Sequence, residues 1–537
     1  MRLCTTIRAR AREGTATALR GHAGLFLALS VLVSSNLAVA PAGGETLALD
    51  PQGAATPVLW NGGVAWQDPT GVRAAAPGSA TRRLVSFRAL GYTYSFALDS
   101  GSGAQSGGAG GSGGTLAYGW EEANDMTPPM GPGDTSIPTP ALPYETSISH
   151  RGLIGADGHS TPLPDCSTQD RPGYFGAPIV SLAETTAAYL CAGAPPGMQV
   201  PAHAILPSYL ALSNLTMPGA PAQTIPEAGA PFQLSGAYVA YIAGNATTTT
   251  VAARRIVVFD RTTSAVVYEL HLGANEYVRA LALQADGTLV VLGAGTSSCP
   301  KPGRIGAGQS FPAVWLSPAD PTPHQLGCFY DGALRPVGGQ WVALAPTGPG
   351  TQASLELLTL AGGAPRTLAV FPNPGAFEPQ SQQPQSQPQT EPAADFDGHR
   401  LAWVQHTCAG TAIELTPDVA AMSPGPLPSA RCPVQFHLHG PLRPGARGVV
   451  RVRLSCPLGC TVIAMHISGS RALATSGSAY FSLPASPRPV TKSFRLTRRQ
   501  LAYLRRRHHV RVVLSAETAG VGSAPFGKTA VRVTLAR

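Results

Sequence analysis

Four groups of residues have the types and spacing to do chemistry. Gly110-Gly111-Ser112-Gly113-Gly114 fits G-x-S-x-G, the turn that exposes a nucleophilic serine between a strand and a helix. It sits in a Gly/Ser tract with no strand–turn–helix pattern around it, which favours a flexible loop over a catalytic serine. His150, Asp157, His159 and Asp165 crowd one stretch and have the donor atoms of a divalent-metal site; a solvated polar loop is the competing reading. His437 and His439 lie two apart, on one face of a strand, and with Cys456 and Cys460 would compose a Cys₂His₂ zinc set. In an oxidising compartment the same two cysteines would be joined instead. The fourth group is Arg498, Arg499, Arg505, Arg506 and Arg507, followed by His508 and His509. Three readings of it stay open: contact with a polyanion through counterion release, docking on an acidic part of the same chain, or a solvated helix face. No catalytic residue, metal or cofactor is expected from these patterns.

The elements that must position these residues follow from composition. The chain has 537 residues, with 61 Gly and 51 Pro, 44% apolar and 12% charged residues. This is too apolar for a disordered chain, and so many helix breakers argue against a helical bundle. Of 38 basic residues only Lys301, Lys492 and Lys528 are lysine, so abundant arginine is partly a property of the whole composition. The first 42 residues read as an export signal: Arg2, Arg8, Arg10, Arg12 and Arg20, the apolar run from Gly24 to Val33, then Ala40-Pro41-Ala42. An uncleaved anchor is the alternative for this segment. The expected location is secreted, extracellular or associated with the cell envelope. Apart from Cys4 the eight cysteines fall in near couples, Cys166 with Cys191, Cys299 with Cys328, Cys408 with Cys432 and Cys456 with Cys460, which reads as four local disulfides.

A short element recurs seven times between Trp60 and Gln405: an apolar residue, a small one, then a bulky one, after a turn. Its centres are Ala65, Ala117, Ala188, Ala240, Val290, Ala343 and Ala402. The third copy has Glu184-Thr185 where the others have an upstream glycine. The longer intervals hold a Pro-rich insertion around 127–143 and a Pro/Gln tract at 372–392; a Gly/Ser tract occupies 101–114. A period near fifty suggests four-stranded blades and a seven-bladed β-propeller over residues 43–432. The fourth repeat shows the strands as GAYVAYIA, Arg255–Asp260, Ser264–His271 and Tyr277–Leu283. Asn61-Gly62, Asp286-Gly287 and Asp397-Gly398 read as turns with φ > 0 at both residues, and the small central residue is expected on strands crowded at the axis. The segments ADFDGHRLAWVQ and LQADGTLVVLG resemble the turn-and-strand signature of TolB-like propeller repeats. That resemblance implies a protein-binding or scaffold propeller, often periplasmic or extracellular.

From Pro433 the charge changes. Residues 433–537 hold 17 basic residues and one acid, Glu517, for a net charge of +16, whereas residues 43–432 carry −11. The alternating segments VQFHLH, GVVRVRLSC, AYFSL, TKSFRL, HVRVVLSAE and KTAVRVTLA suggest a small immunoglobulin-like β-sandwich. Thr497 and Gln500 form a capping box that opens a helix, RRQLAYLRRR. The sandwich is similar to a C-terminal module of secreted bacterial proteins. The whole reads as an all-β, secreted, non-enzymatic binding protein. Its propeller would face an unknown protein or glycan ligand, and its basic domain an anionic cell-wall polymer or membrane surface, with no specific nucleic-acid partner. The alternative is a propeller-fold carbohydrate-active enzyme, a glycoside hydrolase or polysaccharide lyase, whose carboxylates would come from distant blades. The exported protein is expected to begin at Gly43, because a cut after Ala42 alone satisfies the small-residue rule without proline following it. N-terminal sequencing of protein from the culture medium checks this; an intact N-terminus in the membrane fraction would contradict it.

Overall fold

The structure is a computed structural model. It describes residues 44–50, 54–68, 70–87, 92–99, 114–123, 147–164, 166, 180–192, 208–217, 220, 222–243, 255–273, 276, 278–295, 299, 310–347, 352–371, 394–408, 410–425, 432–468, 472–473, 475–483, 486–519 and 527–537. The export segment, the Pro-rich insertion, the Pro/Gln tract, Asp165 and all of the Gly/Ser tract except Gly114 lie outside these residues.

Seven four-stranded antiparallel sheets follow one another among the described residues. Six are simple meanders: blade one (strands between 55 and 86), two (92–162), three (180–226), four (228–271), five (280–329) and six (331–371). Blade seven takes Ala394–Phe396, Leu401–His406 and Thr411–Thr416 from the end of this region, and its outermost strand, Glu45–Asp50, from the start of the chain. The inner strands of neighbouring blades touch from blade one through to blade five, blade six meets blades five and seven through its second strand, and the first strand of blade one meets that of blade seven. The ring is therefore closed and the fold is a β-propeller. Apolar clusters lie between consecutive blades; Val58, Ala65, Leu116 and Ile154, for example, bring together blades one and two.

All seven repeat centres lie on the second strand of their blade, not on the innermost one as expected. The physical reason for a small residue is thus a different one. The second strand is covered on both faces by neighbouring blades, and Ala65, Ala117, Ala188, Ala240, Ala343 and Ala402 are fully buried there. The phasing of the fourth repeat also differs. Ala280–Leu283 opens blade five, and the innermost strand of blade four is Ala228–Ser235, which Gly229 and Pro231 disguise in the sequence. Only Asn61-Gly62 has φ > 0 at both turn residues. At the other two turns glycine alone does, and the aspartate instead accepts backbone N–H groups: Asp286 from Thr288 at 2.8 Å, Asp397 from Arg400 at 2.7 Å. In the third copy Glu184 takes a left-handed φ of 49° in place of the missing glycine.

Side chains stitch the inner strands together. Asp395 accepts the N–H of Leu59 at 2.8 Å, Ser181 that of Leu234 at 2.9 Å, and Gln233 that of Leu283 at 2.9 Å. Each bond runs from one blade to the next at an equivalent position. Arg335, in the connection after the two-residue inner strand of blade six, reaches further. Its Nη2 donates to the carbonyls of Leu182 (2.7 Å) and Leu234 (3.1 Å), on the inner strands of blades three and four. Leu334 beside it packs on the cluster between blades one and two. The Leu334-Arg335 segment therefore crosses the axis, at the end where first and second strands are joined, and Arg335 is only 2% exposed.

The C-terminal region forms a three-stranded sheet (Gln435–Phe436, Val449–Cys456, Ser486–Arg495) and a four-stranded one (Thr475–Leu483, Cys460–Ser468, His509–Ala519, Gly527–Ala536) around one core, with the helix Arg498–Arg507. Thr497 and Gln500 make the expected capping box. The cysteines are bonded as Cys166–Cys191, Cys299–Cys328, Cys408–Cys432 and Cys456–Cys460. Cys432 and Cys408 are both buried in the C-terminal core, so their disulfide staples the second hairpin of blade seven to this domain. Arg335→Met should lower stability by about 1.5–3 kcal/mol, the range for a hydrogen bond from a charged group. The check is the urea midpoint at unchanged m. An unchanged midpoint would mean that the axial bonds are dispensable.

Candidate functional site

The five arginines singled out from sequence are all exposed, on a single ten-residue helix. Gln500 and Leu504 bury one side of that helix. At about 100° per residue, Arg498, Arg499, Arg505 and Arg506 fall within an arc of about 120° on the other side, and Arg507 lies outside it. Among the described residues none of the five side chains makes an ion pair or hydrogen bond, so this structure gives no support to docking on acids of the propeller. The helix sits against the start of the three-stranded sheet. Gly448, at φ 77°, has Leu501 where its β-carbon would be, 2.7 Å away, so a side chain there would displace the helix.

The two ends of the helix treat arginine differently. Positive charge in the last turn complements the helix dipole, and Arg505, Arg506 and Arg507 stand there. Arg498 and Arg499 stand in the first turn, where a cation is unfavourable and where an acid would be stabilising. Helix stability therefore accounts for the second group and not for the first.

Sequence reasoning missed three further exposed arginines of the same domain, on its three-stranded sheet. Val450, Val452 and Leu454 point into the core, while Arg451 and Arg453 point out. Arg495 pairs in register with Val449, so it shares the outer face of the sheet with both arginines. The period-two alternation in VVRVRLSC carried that signal. The single acid of the domain does not counter the face. Glu517 is bonded to Lys528 at 2.9 Å on the other sheet, and this bond holds its carboxyl below the usual range.

The remaining candidates are dispersed. Gly114 accepts the indole N–H of Trp60 and leads into the strand Leu116–Ala123, so no helix follows it; Gly110–Gly113 with Ser112 lie outside the described residues. His150 is stacked on Trp120 (ring centroids 4.0 Å apart), whereas Asp157 accepts the N–H of His159 in the turn beyond. Cys456 and Cys460 are joined to each other, and His437 contacts Ser455 Oγ at 2.8 Å, so the zinc set is not assembled. Among the described residues no group of three or more His, Cys, Asp or Glu is placed to hold a metal.

The two ends of the propeller differ. Connections 124–146, 193–207, 244–254 and 296–309 join second strands to third, and 167–179 and 372–393 lead to the next blade. In an antiparallel blade, both kinds join strands at the end opposite Arg335. Cys191, Cys328 and Cys408 stand at that end as well.

No family model matches this chain, and no curated protein does. Solved structures similar to it are propellers. The Cps50 (Swd1) β-propeller domain of Myceliophteria thermophila matches with 12% identity over 70% of this chain and 99% of that one, at a TM-score of 0.37. The Neurospora crassa Pan2 WD40 domain matches with 9% identity over 71% and 97%, at 0.36. BamB from Moraxella catarrhalis matches with 10% identity over 70% and 100%, at 0.33. Likeness this low carries no functional argument, and the strand pairing itself defines the fold.

Replacing Arg498 and Arg499 by Gln should leave stability unchanged or raise it by about 0.3–1 kcal/mol per charge, because the dipole penalty is removed. Replacing Arg505 and Arg506 should lower it by a similar amount. Urea midpoints of the two double variants check this. Equal destabilisation by both pairs would give the first-turn arginines a structural role.

Proposed function

We propose that the chain is an exported, non-enzymatic binding protein. In this reading a seven-bladed propeller of TolB-like repeats offers a protein or glycan ligand the end opposite Arg335, and an immunoglobulin-like basic domain attaches the molecule to anionic envelope material. The observation that carries the proposal is the arc of four exposed arginines, without a partner among the described residues, on a domain of net charge +16. The same domain also exposes Arg451, Arg453 and Arg495 on the outer face of its three-stranded sheet. Two of the four work against the dipole of their own helix, which points to a role outside the fold. Four disulfides support maturation in an oxidising compartment. No helix among the described residues is long and apolar enough to cross a membrane. No specific observation among the described residues favours the carbohydrate-active alternative.

Exposed charges act within a Debye length of about 8 Å at physiological salt, so attachment of this kind is weakened by added salt. The full-length protein should co-sediment with cell walls or with vesicles containing anionic lipid at low salt, and be released when the salt is raised several-fold. The variant with Arg498, Arg499, Arg505 and Arg506 all changed to Gln should stay in solution while keeping its fold. If that variant sediments as the unaltered protein does, the helix is not the attachment site.

A further inference from the structure

The arc of four arginines has a centre. Ala502 is exposed, and its neighbours on the helix surface, three and four residues away in each direction, are Arg498, Arg499, Arg505 and Arg506. Neighbours of this kind stand about 5–6 Å apart between β-carbons. At about 100° per residue, Arg498 and Arg505 flank Ala502 on one side by about 40° and 60°, and Arg506 and Arg499 flank it on the other by the same angles. Four guanidinium groups thus surround one methyl group. The helix itself contains no acid to answer them. Its larger apolar residues are turned away: Leu504 is buried, and Leu501 and Tyr503 pack on the core of the domain. Arg507 lies about 140° from Ala502 and takes no part.

We propose that these four arginines form a seat for one phosphomonoester group carried on a water-soluble envelope polymer, with Ala502 as its floor. This deepens the attachment proposed above and rests on it. The class of ligand follows from the donors and charges. Each guanidinium presents a fork of N–H donors that matches two oxygens of an anion. A carboxylate brings two oxygens and a single charge, so it answers one fork and leaves the others. A phosphomonoester brings three strong acceptor oxygens and a charge of about −1.5 to −2 at pH 7. Its tetrahedral shape lets forks approach from several sides at once. A polymer fits better than a bilayer, because a helix lying in a membrane surface buries an apolar face there. The open side of this helix offers only the methyl group of Ala502.

The test compares binding of the full-length protein to dextran bearing phosphomonoesters and to carboxymethyl-dextran of equal charge density, at pH 7 and fixed ionic strength. The phosphate polymer should bind at least tenfold more tightly; equal binding overturns the ligand class. Ala502→Glu places a carboxylate of the chain itself among the four arginines, at the spacing of stabilising helix ion pairs. It should raise the urea midpoint and weaken binding to the dextran phosphate at least tenfold. Arg507→Gln changes the net charge by the same single unit and should weaken binding less than twofold. Equal weakening by the two variants would mean that net charge governs, and the seat is overturned. Vesicles containing phosphatidic acid are the third arm: tighter binding to them than to the dextran phosphate overturns the choice of a polymer. The attachment reading fails on a different result, sedimentation of the fourfold Gln variant with cell walls, so loss of the seat and loss of the attachment are told apart.

Discussion

Seven sheets packed face to face make a ring only if the last is joined to the first. Here a strand from the start of the chain completes the join, beside the direct contact of blades one and seven at Leu59 and Asp395. Glu45–Asp50 pairs with Thr411–Thr416 and supplies the outer edge of blade seven. Its last residue, Asp50, accepts the indole N–H of Trp66 at 3.0 Å and lies 3.8 Å from the Arg73 guanidinium, both on blade one; Arg73 also bonds Asp68. The buried acid is thus satisfied across the seam between the two blades, which links the closing strand to the blade it does not belong to. Removing one partner of such a group leaves an uncompensated charge, so closure and the internal order of blade one depend on each other.

The ring has two dissimilar ends. At one, Leu334 and Arg335 cross the axis and bond carbonyls on the far blades, so this end is organised by interactions inside the propeller. At the other lie the joins to the long connections, the cysteines of blades three and five, and the disulfide that fixes the C-terminal domain to blade seven. Disulfides closing loops of about 25 residues stabilise by about 3–4 kcal/mol each in the chain-entropy view. They are placed where the chain between strands is longest, which is where loop closure costs most.

Architecture was legible in the sequence because each blade repeats the same local demand, a small buried residue on its second strand between apolar neighbours. Ala65 and Ala402 announce that demand as clearly as the five copies between them. The innermost strands were not legible, for two reasons. They are short, down to Asp331-Gly332, and in Ala228–Ser235 glycine and proline break the alternation. Arg335 was invisible because its partners are backbone carbonyls on blades more than a hundred residues away, which no local pattern encodes. The helix and its arginines were legible, since a capping box and a 3.6-residue period are local. The sheet arginines Arg451 and Arg453 stand in the alternation of their strand, a sparser signal than the run Arg505–Arg507.

The closing strand is the feature on which the account of the ring depends, and amide hydrogen exchange read by mass spectrometry reports on it directly. Peptides covering Glu45–Asp50 should exchange as slowly as those covering Thr411–Thr416, and both should open together in a single cooperative step. Fast exchange across Glu45–Asp50, with Thr411–Thr416 and the other blades still protected, would contradict the account: the propeller would then hold together without its first strand.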